Sequence, residues 1–136
     1  MAMEFDLVAP NTLVEESGNG EAVDVTASAT RTFFCLMQVT DQIEQESLDV
    51  SIWGSADGEN WGTQPILKLP QVFYRGQTRA VLELSLRPAV KFIRARWDLN
   101  RWGRVAPNPM FRFGLHLLEV PAMPRQARLE PVSAAQ

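Results

Sequence analysis

The chain has little of what most enzymes need. Its 136 residues include one cysteine, Cys35, and one histidine, His116. A lone cysteine excludes an internal disulfide and argues for a reducing compartment. The same scarcity excludes His/Cys zinc spacing. No nucleophile-elbow sequence accompanies a Ser–His or Cys–His pair. No glycine-rich phosphate loop is present, since Gly18-Asn-Gly20 reads as a turn, and the EF-hand pattern is missing too. No apolar run reaches the length of a membrane-spanning helix. The start, Met1-Ala-Met-Glu-Phe-Asp-Leu7, lacks a basic region followed by an apolar stretch, so no secretory signal is expected. The net charge of −3 is too mild to recruit a polyanion. Expected absences are therefore a catalytic residue, a cofactor, a nucleic-acid partner and a membrane partner. The expected setting is the cytoplasm or a virion-like particle.

What is present is alternation with a period of two. Val23 and Val25 alternate with Asp24 and Thr26. Leu48, Val50 and Ile52 face one way, Asp49 and Ser51 the other. Ala80, Leu82, Leu84 and Leu86 interleave with Val81, Glu83, Ser85 and Arg87. Ile93, Ala95, Trp97 and Leu99 interleave with Arg94, Arg96 and Asp98. Phe111, Phe113, Leu115 and Leu117 interleave with Arg112, Gly114 and His116. The run from Thr32 to Thr40 is apolar and reads as a buried strand, with Cys35 as a small hydrophobe inside it. Phe5–Val8 and Ile66–Leu69 are shorter candidates, and Thr40–Glu46 reads as a polar loop. Turn residues punctuate the runs at Ser17-Gly-Asn-Gly20, Ala56-Asp-Gly58, Arg75-Gly76, Arg87-Pro88 and Ala106-Pro-Asn-Pro109. No segment carries a helical stripe over three turns.

About eight strands at this spacing predict an all-β, antiparallel jelly-roll β-sandwich with extended termini, the alternative being an immunoglobulin-like sandwich. At this length the chain is one domain. It divides into an N-terminal arm and first strand (1–20), the sandwich (21–120) and a proline-containing tail (121–136). Residues 1–10 and the tail are expected to drape over or add a strand to a neighbouring copy.

The residues with most to offer a partner are aromatic and basic. Trp53 and Trp61 belong to one cluster; Asn100, Arg101, Trp102 and Arg104 form another at a strand end. Trp and Arg anchor interfaces, and they also stack on sugar rings while Asn, Asp and Arg bond hydroxyls. They could equally fill the core and pair with loop carboxylates. Trp97 shares the face of Ile93 and Ala95 and is expected inside. Trp53 lies opposite Leu48, Val50 and Ile52, so exposure or an interface is expected. Arg94 and Arg96, with Lys91, make a basic stripe too short for nucleic acid. Asp57, Glu59 and Asn60 offer oxygens to a calcium ion in one loop, or form a solvated turn. Glu15-Glu16 and Glu44/Glu46 read as surface carboxylates, and His116 as a surface or satisfied interior residue.

The stretch Val50-Ser-Ile-Trp-Gly-Ser-Ala-Asp-Gly-Glu-Asn-Trp-Gly62 resembles the "strand, Gly-Ser-x-Asp-Gly-x-x-Trp" element of discoidin-like (coagulation factor C-type) galactose-binding β-sandwiches. Val90-Lys-Phe-Ile-Arg-Ala95 is similar to their following strand, and Leu115-His-Leu-Leu-Glu-Val120 resembles their last one. The same turn occurs in phage and viral-type structural β-sandwiches. The resemblance covers roughly the second half and implies a jelly roll. The terminal cysteine pair usual in discoidin-like domains is missing here, and no ligand residue carries over. The expected function is a non-enzymatic structural protein, phage- or virus-like, that self-assembles into a homo-oligomer through jelly-roll faces and terminal arms. The alternative is a carbohydrate-binding module using the aromatics around Trp61 and Trp102.

Overall fold

The structure is a computed structural model and describes residues 2–42, 46–101 and 110–121. Among these residues it is all-β, with nine strand segments: β1 Glu4–Val14, β2 Gly18–Asn19, β3 Val23–Asp24, β4 Thr32–Gln42, β5 Glu46–Ser55, β6 Leu67–Lys68, β7 Gly76–Glu83, β8 Phe92–Arg101 and β9 Phe111–Glu119. They form two antiparallel sheets. The first runs β1-β9-β4-β7; in the second, β2 and β3 both pair with β8, followed by β5 and β6.

The inner faces of the two sheets meet in one hydrophobic core, a sandwich-like arrangement. Phe33, Met37, Leu82, Phe111, Phe113 and Leu117 of the first sheet are fully buried, as are Leu48, Val50, Ile52, Ile93 and Ala95 of the second. Alternation places them there, because successive strand side chains point to opposite faces. Trp97 faces the core as expected. Its ring meets Phe113 edge-on at 5.8 Å, and its Nε1–H donates to the Glu16 carbonyl at 3.1 Å. Cys35 is buried in the same layer, and burial pushes its thiol pKa up to about 12.

β1 is longer than Phe5–Val8 alone suggests. Its pairing with β9 slips between Val8 and Thr12. There Asn11 takes the left-handed conformation (φ 60°), which Asn tolerates better than most residues. The bulge lies directly on Gly114, where an added Cβ would come 2.8 Å from the Pro10 Cα. Glu4 to Val8, read from sequence as part of an arm, thus pair with the chain's own β9. Leu86 departs from its expected strand position: β7 ends at Glu83 and Leu86 is 86% exposed.

Two carboxylates read as surface groups or left unremarked prove to be buried anchors. Glu46 opens β5 at 1% exposure, and its Oε1 accepts the Met110 N–H at 2.6 Å. Glu119 closes β9 at 2% exposure. It accepts hydrogen bonds from the Met3 N–H (2.7 Å), the Ser28 hydroxyl (2.6 Å) and the Thr30 N–H (2.9 Å). Burial by itself would raise its pKa, but these donors outweigh that and hold it at about 2.

Candidate functional site

Two outer faces remain once the core is closed. On the second sheet, β5 and β8 pair residue by residue: Trp53 opposite Arg94, Ser51 opposite Arg96, Asp49 opposite Asp98, Ser47 opposite Asn100. Lys68 of β6 lies next to Ser51. The outward positions are therefore the polar half of the alternation, with one tryptophan among them. Directly opposed Asp49 and Asp98 would repel. Neighbours relieve this: Arg96 pairs with Asp98 at 3.1 Å, and Gln71 donates to Asp49 at 3.0 Å. Asn100 reaches the same Asp49 oxygen at 3.5 Å.

Trp53 is half-buried, and its indole N–H donates to Ser51 Oγ at 2.9 Å, which fixes the ring against the sheet. It walls an open cleft of about 260 Å³ lined also by Asp49, Pro65, Lys68, Arg96 and Asp98. Trp61 comes from the following loop, and the Arg94 guanidinium lies over its ring at 4.3 Å, a cation–π contact. Arg94 Nε is buried with no hydrogen-bond partner among the described residues. The structure thus brings Trp53, Trp61 and Asn100 to one face. Arg101 ends β8 opposite Glu46 in register. Trp102 and Arg104 lie outside the described residues.

In the turn after β5 the Asp57 oxygens are engaged by the turn itself. Asp57 Oδ1 accepts the Glu59 and Asn60 N–H groups, each at 2.8 Å, and Oδ2 accepts the Asn60 amide at 2.8 Å. The backbone donors of Asn60 and Glu59 hold the carboxyl well below the usual carboxylate range. Gly58 supplies the left-handed residue (φ 81°) that this turn requires. Among the described residues no group of three or more His, Cys, Asp or Glu is placed to hold a metal ion.

The outer face of the first sheet was missed in the sequence, and it is apolar at its centre. Phe34 is 51% exposed, Val81 52% and Leu118 38%, with half-buried Leu36 beside them. Phe34 lies between Leu118 and Val81 in register. These residues, with Arg79 and His116, line a shallow depression of about 510 Å³. On the β1 side, His116 is clamped between two carboxylates: Nδ1 lies 2.8 Å from Asp6 and Nε2 lies 2.7 Å from Glu4. The Asp6 hydrogen bond raises its pKa most; partial burial opposes this, and Glu4 adds to the rise.

Among the described residues no helix is long and apolar enough to cross a membrane. No protein-family model matches the chain, and no curated protein matches it.

Proposed function

We propose that this chain is a non-enzymatic structural module that associates with copies of itself through the outer face of the β1-β9-β4-β7 sheet, on a jelly-roll framework. The strand order supports the framework: first strand beside last, fourth between last and seventh, and the β8-β5 pair central in the other sheet, with β2 and β3 sharing one strand position. A phage- or virus-like particle is the setting this reading carries forward from the Gly-Ser-x-Asp-Gly turn.

One observation carries the proposal: Phe34, Val81 and Leu118 stand exposed side by side on one open face. Scattered apolar residues on a surface are ordinary, whereas a contiguous rimmed patch marks an interaction site. The one histidine and the one thiol of the chain are engaged within the fold. The histidine is held between two carboxylates, and the thiol is buried with its pKa raised away from the nucleophilic range. Size-exclusion chromatography with light scattering over a concentration series tests the reading. A mass of two or more chains is expected; a species of 15.3 kDa at every concentration would sink it.

A second reading, saccharide binding, rests on the Trp53 cleft. An indole wall beside Asp49, Asp98 and Arg96 suits a hydroxyl-rich ligand. At about 260 Å³ the cleft sits just below the usual range for small-molecule sites, roughly 300–1,000 Å³. This moves the sugar-binding alternative from the loop aromatics to the sheet face. A glycan array read against the Trp53→Ala variant tests it, and an array without signal would remove it.

A further inference from the structure

The charges around the apolar face are segregated, and that segregation selects one way for two copies to meet. The inference rests on the self-association reading above and adds its geometry. Register places Glu4, Leu118, Phe34 and Val81 in one row across the first sheet. Asp6, His116, Leu36 and Arg79 form the next row. Both carboxylates therefore lie on the β1 side, the arginine lies on the β7 side, and the middle of both rows is occupied by Leu118, Phe34, Leu36 and the clamped His116. Arg79 is exposed, and its guanidinium donates to the Gln77 side-chain oxygen at 3.3 Å.

Two sheets packed face to face with their strands aligned can be related by a two-fold axis lying between them, either along the strands or across them. An axis across the strands sets β1 over β1 and brings Glu4 and Asp6 of one copy against the same carboxylates of the other. An axis along the strands, between β9 and β4, sets β1 of one copy over β7 of the other. Asp6 then opposes Arg79, and Leu118 opposes Phe34, each twice by symmetry. Of the remaining charges, Arg112 of β9 and its register partner Asp41 of β4 oppose Asp41 and Arg112 of the other copy, while Glu4 opposes Val81, one row along the strand from Glu83. Like charges in contact are disfavoured and complementary ones fix register. We infer that a second copy of this chain docks face to face about a two-fold axis parallel to β4 and β9, with Asp6 of each copy paired to Arg79 of the other.

The face is four strands wide, roughly 19 Å at the usual strand spacing. That is a small interface, so association is expected to be weak and to depend on concentration.

The test uses the full chain and two charge reversals, Asp6→Arg and Arg79→Glu, with circular dichroism to check folding. In a homodimer of either variant, like charges meet at both pairing points. Each variant alone should need roughly tenfold or more protein to reach the dimer mass. An equimolar mixture meets opposite charges at both points, so the dimer mass should return, with one chain of each kind. Separate variants that weaken and a mixture that does not recover would overturn the two-fold arrangement while leaving the face reading intact. If instead Phe34→Glu leaves the wild-type mass unchanged, the face reading itself fails. Unweakened association by both single reversals also overturns the pairing.

Discussion

The two outer faces of this molecule are built from the same alternation and carry opposite chemistry. On the second sheet the outward positions are Asp49, Ser51, Trp53, Arg94, Arg96 and Asp98, whose charges pair locally and leave an open cleft. On the first, Phe34, Leu36, Val81 and Leu118 form an apolar patch beside His116, with Glu4 and Asp6 on one edge strand and Arg79 on the other. Local pairing satisfies a surface that faces water. There Glu4 and Asp6 meet His116 within one copy, whereas among the described residues Arg79 has Gln77 and no carboxylate as partner. On the proposed reading, the difference separates a surface complete within one copy from one that gains by meeting another.

The sharpest way to break this comparison is Phe34→Glu. It should abolish self-association, read by light scattering, while stability changes little, because Phe34 is already half in water. The same substitution should leave any ligand binding at the Trp53 cleft unaltered, since the core separates the two faces.

The next largest effect lies beneath the first face. Gly114→Ala puts a Cβ against the Pro10 backbone, so β1 must shift off β9. A loss of about 1–3 kcal/mol by chemical denaturation is expected. Weakened association should follow, because β1 carries Asp6 and Glu4.

Glu119→Gln probes the anchor holding Met3, Ser28 and Thr30 near that same sheet. Weakened or unsatisfied hydrogen bonds at a buried site cost about 1–3 kcal/mol. The wild-type carboxyl is depressed to about 2, so its contribution is full above the unfolded carboxylate pKa near ~4.3 and is lost as pH falls toward 2. The Gln variant should lose that acid dependence in a pH series of denaturation curves.

The smallest expected effect belongs to His116. Its folded pKa is raised, so its stabilisation is complete below the unfolded value near ~6.5 and fades as pH climbs through the folded one. A shallow stability loss above neutral pH, flattened in His116→Gln, is expected. The residue is partly exposed, and solvent keeps the amplitude small.

Much of this was legible in the residues. Alternation in β5, β8 and β9 placed their core sides correctly, including Trp97 inside and Trp53 outside. The apolar face of the first sheet was hidden for a physical reason. Phe33-Phe-Cys-Leu-Met37 is apolar at every position, so period two has no contrast there, and the run reads as buried on both sides. Val81 falls on the outer half of its alternation, but a single apolar residue there signals no patch, and Leu118 breaks the alternation by following Leu117 directly. β1 was shortened because Ala9-Pro10-Asn11 interrupts its pattern, and only contact with Gly114 explains why a strand continues past them. The His116 clamp joins residues 110 and 112 positions apart, a separation no local pattern reports.

Cys35 offers a built-in clock. The sole thiol of the chain sits in the core layer of β4, shielded and with a strongly raised pKa. A thiol reagent can therefore modify the protein only when that layer opens, and the labelling rate becomes a direct readout of how often the first sheet comes apart. Any cysteine introduced at an outer face would react far faster, so cross-links between copies could be recorded before the native thiol is ever touched.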